Sequence, residues 1–370
     1  MKLCIVVPYF TPYVRGNEYG LAESLTKLGY DVTIIASRGK APREVKKDFS
    51  GEFDFDFKVK YLPTLLDIGD NPIVSGLDLE GCDVALLQED YPFICHKAYR
   101  EAKKHEIKTV LSSERTYYPG GIKGTILKAL DKLKNDKLRE GVDVLTAHCS
   151  AAKEFMEREL GVKKEIEVIH VGVDTTLFRP MEPTGKYLLE GEFKILTVAR
   201  LHRYKGIKYL IEAMKLLKYQ MPEAKLYVLG KGPEEESLKK LVNEFGLERK
   251  VEFIRKAIPN YEMPFLYREC DVYVQPSIIE PYGIAVLEVM ACGKPVVGTK
   301  VGGMLDTIKD GETGFIVEHG NAEEIADRIM ILKDENKRAG MEIRAREWVV
   351  ENFDWMVIGK RYQEILEDLV

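Results

Sequence analysis

Two glutamates flank a predicted helix start in the stretch EPYGIAVLEVMACGKPVVGT. Glu280 and Glu288 stand eight residues apart, with Gly283 between them and an apolar run of helical period after it. We therefore expect a helix to begin near Gly283 or Ile284, with one carboxylate on each side of its start. Helix capping by Glu280 and a solvated Glu288 is the plain structural alternative.

The start of this helix has the chemistry of a phosphate site. The first N–H groups, here those of Ile284 and Ala285, have no partner within the helix, and Gly283 lets a phosphate approach the backbone. Two acids repel such an anion unless they accept hydrogen bonds from hydroxyl groups. A nucleotide-sugar carries hydroxyls on both sides of its diphosphate, which suits Glu280 for the sugar and Glu288 for the ribose.

Two cations follow an earlier predicted strand, in VARLHRYKG. Arg200 ends the strand, and Lys205 comes just before Gly206, where a helix is predicted to begin. Fixed cations stabilise the negative charge that develops when a diphosphate leaves. A pair of solvated surface charges would produce the same spacing, so this interpretation depends on the two elements meeting.

The rest of the chain supplies elements that could bring them together. Short apolar runs alternate with segments of helical period, which indicates parallel sheets with crossover helices. The aperiodic segment 178–192 separates two such series and is predicted to be a linker. The predicted strands are 3–7, 31–36, 84–88, 108–112, 143–147 and 166–174, followed by 193–200, 224–230, 251–254, 271–277 and 295–299.

We therefore predict an α/β protein with two doubly wound domains, and ligands bound beyond the carboxyl ends of the strands. The domains are placed at 1–180 and 190–352. The final amphipathic helix, 353–370, is predicted to cross back to the N-terminal domain.

Composition narrows the class of protein. The 370 residues carry a net charge of −5, which gives no general attraction to nucleic acid. Six cysteines without a C-x-x-C pair indicate buried thiols in a reducing cytoplasm. No signal peptide and no membrane-spanning stretch are predicted, so membrane contact would be peripheral.

These motifs together resemble the retaining GT-B glycosyltransferases of family 4, the group 1 glycosyltransferases. The family's E-x7-E motif stands here as Glu280 to Glu288, and its strand-end arginine and lysine-glycine stand as Arg200, Lys205 and Gly206. Further resemblance lies in ACGKPVVGTKVGG (291–303) and in the returning helix. The resemblance implies two Rossmann-like domains facing across a cleft, with the nucleotide-sugar donor in the C-terminal one.

The resemblance also assigns roles. Arg200 and Lys205 would bind the diphosphate, Glu280 the sugar and Glu288 the ribose, while the backbone of Gly283, Ile284 and Ala285 lines the phosphates. A hexosyl group would pass from a UDP, GDP or ADP sugar to a hydroxyl acceptor, a glycan or a lipid, with retention. No cofactor or metal is expected.

The N-terminal domain departs from the family pattern. In YVRGNEYG, Gly16 and Glu18 match the first loop, and Gly16 is expected to meet the donor phosphate, but Arg15 replaces a glycine. Many members carry a histidine at the strand end that reads SSER here, so Glu114 or Arg115 is a candidate for the acceptor side. His148 and His170 are both better explained as structural.

The only Asp-x-Asp spacing, Asp54 and Asp56 in FDFDFKV, alternates as the solvated face of an edge strand and does not suggest a metal site.

A basic amphipathic helix is predicted at 121–139. Residues 97–139 contain twelve Lys/Arg and five Asp/Glu, a net +7, which leaves −12 for the rest of the chain. Either its apolar side lies on the sheet with the lysines in water, or it rests on an anionic membrane and presents a lipid acceptor. Other functions left open are a nucleotide-sugar isomerase of the 2-epimerase type and a non-catalytic nucleotide-sugar-binding protein.

Overall fold

The computed structural model describes residues 1–12, 16–38, 54–68, 71–182 and 185–370, without the side chain of Lys123. These residues form two compact units. The first, here the N-terminal domain, comprises Met1–Gly172 and Trp355–Val370; the second, the C-terminal domain, comprises Val173–Asp354. The division falls between Gly172 and Val173, so the segment predicted as a linker, 178–192, lies inside the C-terminal domain.

The N-terminal domain is built on seven parallel strands in the order β3-β2-β1-β6-β7-β8-β9. Strands β1, β2 and β6 to β8 are apolar runs buried on both faces, as parallel sheets require. A separate antiparallel hairpin, β4–β5, follows the edge strand β3. The strands are β1 Lys2–Val6, β2 Asp31–Ser37, β3 Lys58–Leu62, β4 Thr64–Asp67, β5 Pro72–Val74, β6 Val84–Gln88, β7 Lys108–Ser113, β8 Val144–Ala147 and β9 Glu167–Val168.

Six helices belong to this domain, counted over its described residues. The last of them confirms the predicted return, because Trp355 packs so tightly that a Cβ on Gly20 would lie 1.9 Å from its ring. The Tyr362 hydroxyl is 3.1 Å from that of Ser112 on β7. The helices are α1 Asn17–Lys27, α2 Phe93–Lys104, α3 Gly121–Leu130, α4 Asp136–Gly141, α5 Ser150–Arg158 and α13 Trp355–Leu369, with a π-helical turn at Asp131–Asn135.

The C-terminal domain has six parallel strands in the order β12-β11-β10-β13-β14-β15. Its first strand, β10, lies between the second and the fourth, so the winding reverses between β10 and β13. Ligands of open α/β sheets bind at such a reversal, outside the carboxyl ends of the strands. The strands are β10 Phe193–Val198, β11 Ala224–Leu229, β12 Val251–Ile254, β13 Val272–Gln275, β14 Val296–Thr299 and β15 Gly314–Val317.

The helices of this domain cover both faces of the sheet, and an apolar cluster containing Ile211, Met214 and Ile329 fills one side. They are α6 Ile207–Gln220, α7 Glu235–Glu244, α8 Met263–Tyr267, α9 Ile284–Ala291, α10 Met304–Thr307, α11 Ala322–Ile331 and α12 Glu335–Phe353, with 3₁₀ turns at Arg203–Lys205 and Asn260–Glu262.

The predicted strands are confirmed within a few residues, with two differences. The last N-terminal strand, predicted at 166–174, is only the two-residue β9. Strand β3 begins at Lys58, so Asp54 and Asp56 precede it, and both are exposed as predicted.

The cysteine prediction is wrong for one pair. Cys4 on β1 and Cys82 in the turn before β6 form a disulfide, with their Cα atoms 6.3 Å apart. Cys95, Cys149 and Cys270 are buried free thiols, as is Cys292. Neighbouring strands brought the pair together, which the 78-residue separation in sequence did not reveal.

Candidate anion and hydroxyl site in the C-terminal domain

The loops after β10 and β13 meet at the carboxyl edge of the C-terminal sheet. Gly206, between the 3₁₀ turn and α6, has a left-handed φ of 64°. A Cβ there would lie 1.9 Å from the carbonyl oxygen of Pro276, just beyond β13. Only glycine permits both the conformation and the close approach, and this approach carries Lys205 to the residues that follow β13.

Glu280 is the centre of this contact. Its Oε2 accepts hydrogen bonds from Lys205 Nζ at 2.6 Å, and from Gln275 Nε2 and Ser277 Oγ at 2.9 Å each. Among the described residues none donates to Oε1, so that oxygen can accept a bond from a ligand. The structural alternative, in which Glu280 caps α9, is wrong, because the helix has no side-chain cap.

The helix start is where the sequence predicts it. α9 spans Ile284–Ala291 after Gly283, whose φ of 92° is left-handed. Within the described part of the chain, the backbone N–H groups of Ile284 and Ala285 have no acceptor, and both residues are half-buried. Gly283 lies against Glu280, since a Cβ on it would be 3.5 Å from Glu280 Cγ. The edge thus offers free N–H donors beside an oriented carboxylate.

Glu288 is buried, so the alternative of a solvated side chain is wrong. Its Oε1 accepts from Asn260 Nδ2 at 2.8 Å and its Oε2 from the Tyr267 hydroxyl at 2.9 Å. Burial raises the pKa of Glu288 to about 7, although both hydrogen bonds act to lower it. Each oxygen retains acceptor capacity for a ligand hydroxyl.

Arg200 lies two residues beyond β10 and is exposed. Among the described residues its guanidinium has no ion-pair or hydrogen-bond partner, and it is available to an anion. The structure therefore joins Lys205, Glu280 and Gly283 directly, while among the described residues Glu288 and Arg200 form no hydrogen bond or ion pair with that group.

Gly16 belongs to the other domain, where it precedes α1 with an extended backbone, φ −69°. Arg15 lies outside the described residues. The proposed contact of Gly16 with a donor phosphate therefore stays a prediction.

The two acceptor-side candidates of the N-terminal domain, Glu114 and Arg115, differ in burial. Arg115 is buried and bridges Asp90 at 3.0 Å and Asp131 at 2.9 Å, so the expectation that its guanidinium meets the acceptor is wrong. Glu114 is exposed just after β7.

His148 is structural, as expected. Its ring is buried, bonds Asn17 at 3.2 Å and the Ile169 carbonyl at 3.3 Å, and has a pKa lowered by burial to about 4. His170 bonds the His148 carbonyl oxygen at 3.2 Å.

Sequence reasoning missed four residues that hold the two glutamates. Gln275 and Ser277 are polar residues at the carboxyl end of a strand, which is a signal that could have identified them. Asn260 and Tyr267 lie in and after an aperiodic loop, so their meeting with Glu288 had no local signal. In the described ranges no three His, Cys, Asp or Glu side chains gather as they would around a metal ion.

The strand order, with N–H groups unpaired among the described residues at its reversal, defines a doubly wound α/β class, whose members bind ligands at this edge. Comparison with known proteins is more specific. A family described as "Glycosyl transferases group 1" matches residues 184–348, and "Glycosyltransferase Family 4" matches residues 19–177. The chain belongs to the group 1, family 4 glycosyltransferases, and its two parallel-sheet domains have the GT-B fold.

Individual relatives are similar over part of their length. A GDP-mannose-dependent alpha-(1-6)-phosphatidylinositol monomannoside mannosyltransferase of Mycolicibacterium smegmatis is 30% identical over 252 residues, covering 64% of each chain. An N-acetyl-alpha-D-glucosaminyl L-malate synthase of Bacillus anthracis is 30% identical over 248 residues, 65% of this chain and 64% of that one. The chain thus spans slightly less than two thirds of the length of these relatives.

A solved sucrose-phosphate synthase from Thermosynechococcus elongatus superposes with a TM-score of 0.78. At 19% identity, with 100% of this chain and 98% of that one covered, this likeness concerns the fold.

Proposed function

We propose that the protein transfers a hexosyl group from a nucleotide-diphosphate sugar to a hydroxyl acceptor, a glycan or a lipid, with retention. One observation carries the proposal: the free N–H groups at the start of α9 lie beside a carboxylate that Lys205, Gln275 and Ser277 hold in place. This arrangement provides donors for a diphosphate and an acceptor for sugar hydroxyls within one domain.

The roles follow from charge and hydrogen-bonding capacity. The N–H groups of Ile284 and Ala285 bind the diphosphate with Arg200 and Lys205. Glu280 Oε1 accepts from a sugar hydroxyl. Glu288, held through both oxygens by Asn260 and Tyr267, accepts from the ribose.

The bond between the anomeric carbon and the diphosphate oxygen breaks as the acceptor oxygen attacks from the same face. The acceptor proton passes to the departing phosphate oxygen. No protein nucleophile is needed, and the cations stabilise the leaving group without a bound metal.

A thermal-shift panel of UDP, GDP, ADP and their sugars tests this function and identifies the base. One nucleotide series should raise the melting temperature by mass action, and Arg200→Ala should weaken that shift. A chelator should leave transfer unchanged. A flat response to every nucleotide would refute the donor site.

The name of the Mycolicibacterium smegmatis relative includes GDP-mannose and a phosphatidylinositol monomannoside, which supports the choice of panel. Product analysis separates the alternatives. An isomerase of the 2-epimerase type would convert the nucleotide-sugar without an acceptor, and a non-catalytic binding protein would bind it without turnover.

We further propose that the protein acts in the cytoplasm and that its helical segment 121–139 contacts the inner face of an anionic membrane. An exposed apolar stripe supports the membrane contact: Ile122, Ile126 and Leu133 are 81%, 55% and 75% exposed. Lys132 and Lys137 are exposed on the same segment. Two cations of the basic stretch 97–139, Arg115 and Arg139, are buried against aspartates and add nothing to the surface charge.

Within the described ranges, none of the helices has both the length and the apolar character to cross a bilayer.

Vesicle co-sedimentation tests the membrane contact. The protein should bind vesicles rich in phosphatidylglycerol at low salt and not neutral phosphatidylcholine vesicles, and Ile126→Ser with Leu133→Ser should abolish binding. Ile343→Ser is the matched control, because Ile343 is a 60% exposed apolar residue of the C-terminal domain. Equal sedimentation of the double variant would refute the role of the stripe.

A further inference from the structure

Glu89 lies at the carboxyl end of β6 in a backbone conformation that its side chain disfavours. Its φ is 78°, a left-handed value that glycine or asparagine adopts at lower cost. β6 adjoins β1 where the winding of the N-terminal sheet reverses. Ligands of doubly wound sheets bind at this edge, and backbone strain at such an edge frequently accompanies a functional side chain.

The surroundings hold the Glu89 carboxyl group in one orientation. Its Oε2 accepts from Ser113 Oγ at 3.1 Å, and its Oε1 accepts from the backbone N–H of Glu114 at 2.5 Å. The Glu89 backbone N–H in turn donates to the Ser112 carbonyl oxygen at 2.8 Å. The side chain is half-buried, so it is both oriented and accessible.

A buried charge network fixes the two loops that carry this group. Asp90, adjacent to Glu89, is fully buried and pairs with Arg115 and Arg139. Arg115 and Arg139 also bond Asp131 in the π-helical turn. The network neutralises itself and ties the end of β6 to the end of β7, which gives Glu89 a rigid support.

We propose that Glu89 binds the acceptor, and that the acceptor presents a neutral, polyhydroxylated group, a sugar or a cyclitol ring, to this edge. The inference rests on the proposed transferase function. An oriented carboxyl group forms hydrogen bonds with ring hydroxyls. A phosphate here would instead face the exposed acidic side chain of Glu114, and the nearby cation of Arg115 is already occupied by two aspartates.

The protonation of Glu89 agrees with this chemistry. Burial, and then the charges of Glu114 and Asp90, raise its pKa to about 8, while the Glu114 N–H and the Arg115 charge lower it. A raised pKa favours the protonated form of the group, which can donate one hydrogen bond to a hydroxyl oxygen and accept others.

The test uses the full-length protein and the donor identified by the thermal-shift panel. Acceptor probes are methyl α-D-glucopyranoside, methyl α-D-mannopyranoside and myo-inositol, each against the phosphate monoester of the same ring. Neutral probes should be glycosylated and the monoesters used at least about tenfold less well. Glu89→Gln should lower kcat/KM for the neutral probe by about tenfold or more, with donor affinity and melting temperature unchanged.

Glu106 provides a matched control, because it is an exposed glutamate with a φ of 53°. Glu106→Gln should transfer as the wild type does. Glu89→Gly distinguishes a role in acceptor binding from a role in stabilising the fold. Relief of the strained backbone should offset the lost hydrogen bonds, so the melting temperature should hold or rise while transfer is lost. The melting temperature of Glu106→Gly measures the effect of relieving a left-handed backbone conformation alone.

Several results would overturn the inference. Transfer by Glu89→Gln at the wild-type rate, or a melting temperature that falls in proportion to the lost transfer, would leave Glu89 without an acceptor role. Preference for the monoesters, or no use of any neutral probe by a protein that binds donor, would refute the chemical class. In these cases the nucleotide still stabilises the protein and the proposed function stands; a protein that binds no nucleotide would contradict both.

Discussion

Replacing Lys205 by methionine removes the cation that pairs with Glu280 while keeping most of its aliphatic stem. The pair is 2.6 Å long, and its side chains are only 13% and 9% exposed, so solvent screens it weakly. Loss of one partner from a buried pair costs about 3–5 kcal/mol. Gln275 and Ser277 continue to donate to the carboxylate, so we expect a loss of about 2–3 kcal/mol.

A double-mutant cycle measures how much of this loss belongs to the pair. Glu280→Gln alone leaves Lys205 largely buried without its anion, whereas the double variant removes both charges. We expect a coupling energy of about 1.5–3 kcal/mol from urea unfolding, read on the transition that nucleotide stabilises. At about 2–4 °C per kcal/mol for a domain of this size, Lys205→Met should melt about 4–12 °C lower.

A second ion pair in the same domain serves as the control. Lys300 and Glu318 are 3.2 Å apart but 58% and 59% exposed. Their cycle should give less than about 1 kcal/mol. If the Lys205 and Glu280 substitutions are additive within about 0.5 kcal/mol, the pair does not orient Glu280 and the reasoning about the site is wrong.

Four further predictions concern the same domain. Arg200→Ala should lower kcat by about 10²–10³ with unchanged melting temperature, because the exposed guanidinium is assigned only to the leaving group; near-native turnover would refute that role. The raised pKa of Glu288, about 7, makes nucleotide-sugar affinity rise by up to about tenfold in total between pH 6 and 8, since the charged carboxylate is the stronger acceptor, and isothermal titration of Glu288→Gln should show no such rise. The same raised pKa means that the folded state binds the proton more tightly, so unfolding free energy should fall as pH rises from about 4.5 through about 7, and less so in the variant. Gly206→Ala should unfold at clearly lower urea than Gly311→Ala, because both have left-handed φ but only the former meets a backbone carbonyl, that of Pro276; equal midpoints would contradict the close approach.

Periodicity in the sequence predicted most of the fold because it reports local hydrogen bonding and burial. The apolar runs of β6 and β12 and the start of α9 at Ile284 are found at the residues predicted. β15 was missed because it begins at Gly314 and only three apolar residues follow, and α12 because its charged sequence has little amphipathic contrast. The Glu280 and Glu288 spacing also located the candidate site.

Which side chains bond to Glu280 and Glu288 depended on which loops meet at the edge of the sheet. Lys205 and Glu280 are 75 residues apart, and only the adjacency of β10 and β13 joins them. Glu288 is hydrogen-bonded by Asn260 and Tyr267, whose segment has no periodic signal.

In the N-terminal domain, too, the sequence predicted elements but not the contacts between them. The sequence determined that a basic amphipathic helix lies near 121–139, but not which way its apolar side faces; the structure leaves Ile122, Ile126 and Leu133 exposed. It likewise placed Arg115 at a strand end, while the fold buried that charge between Asp90 and Asp131 and left Glu89 accessible. Local patterns set the elements because their hydrogen bonds are local, whereas the chemistry of each edge arises from side chains that only the packed sheet brings within reach.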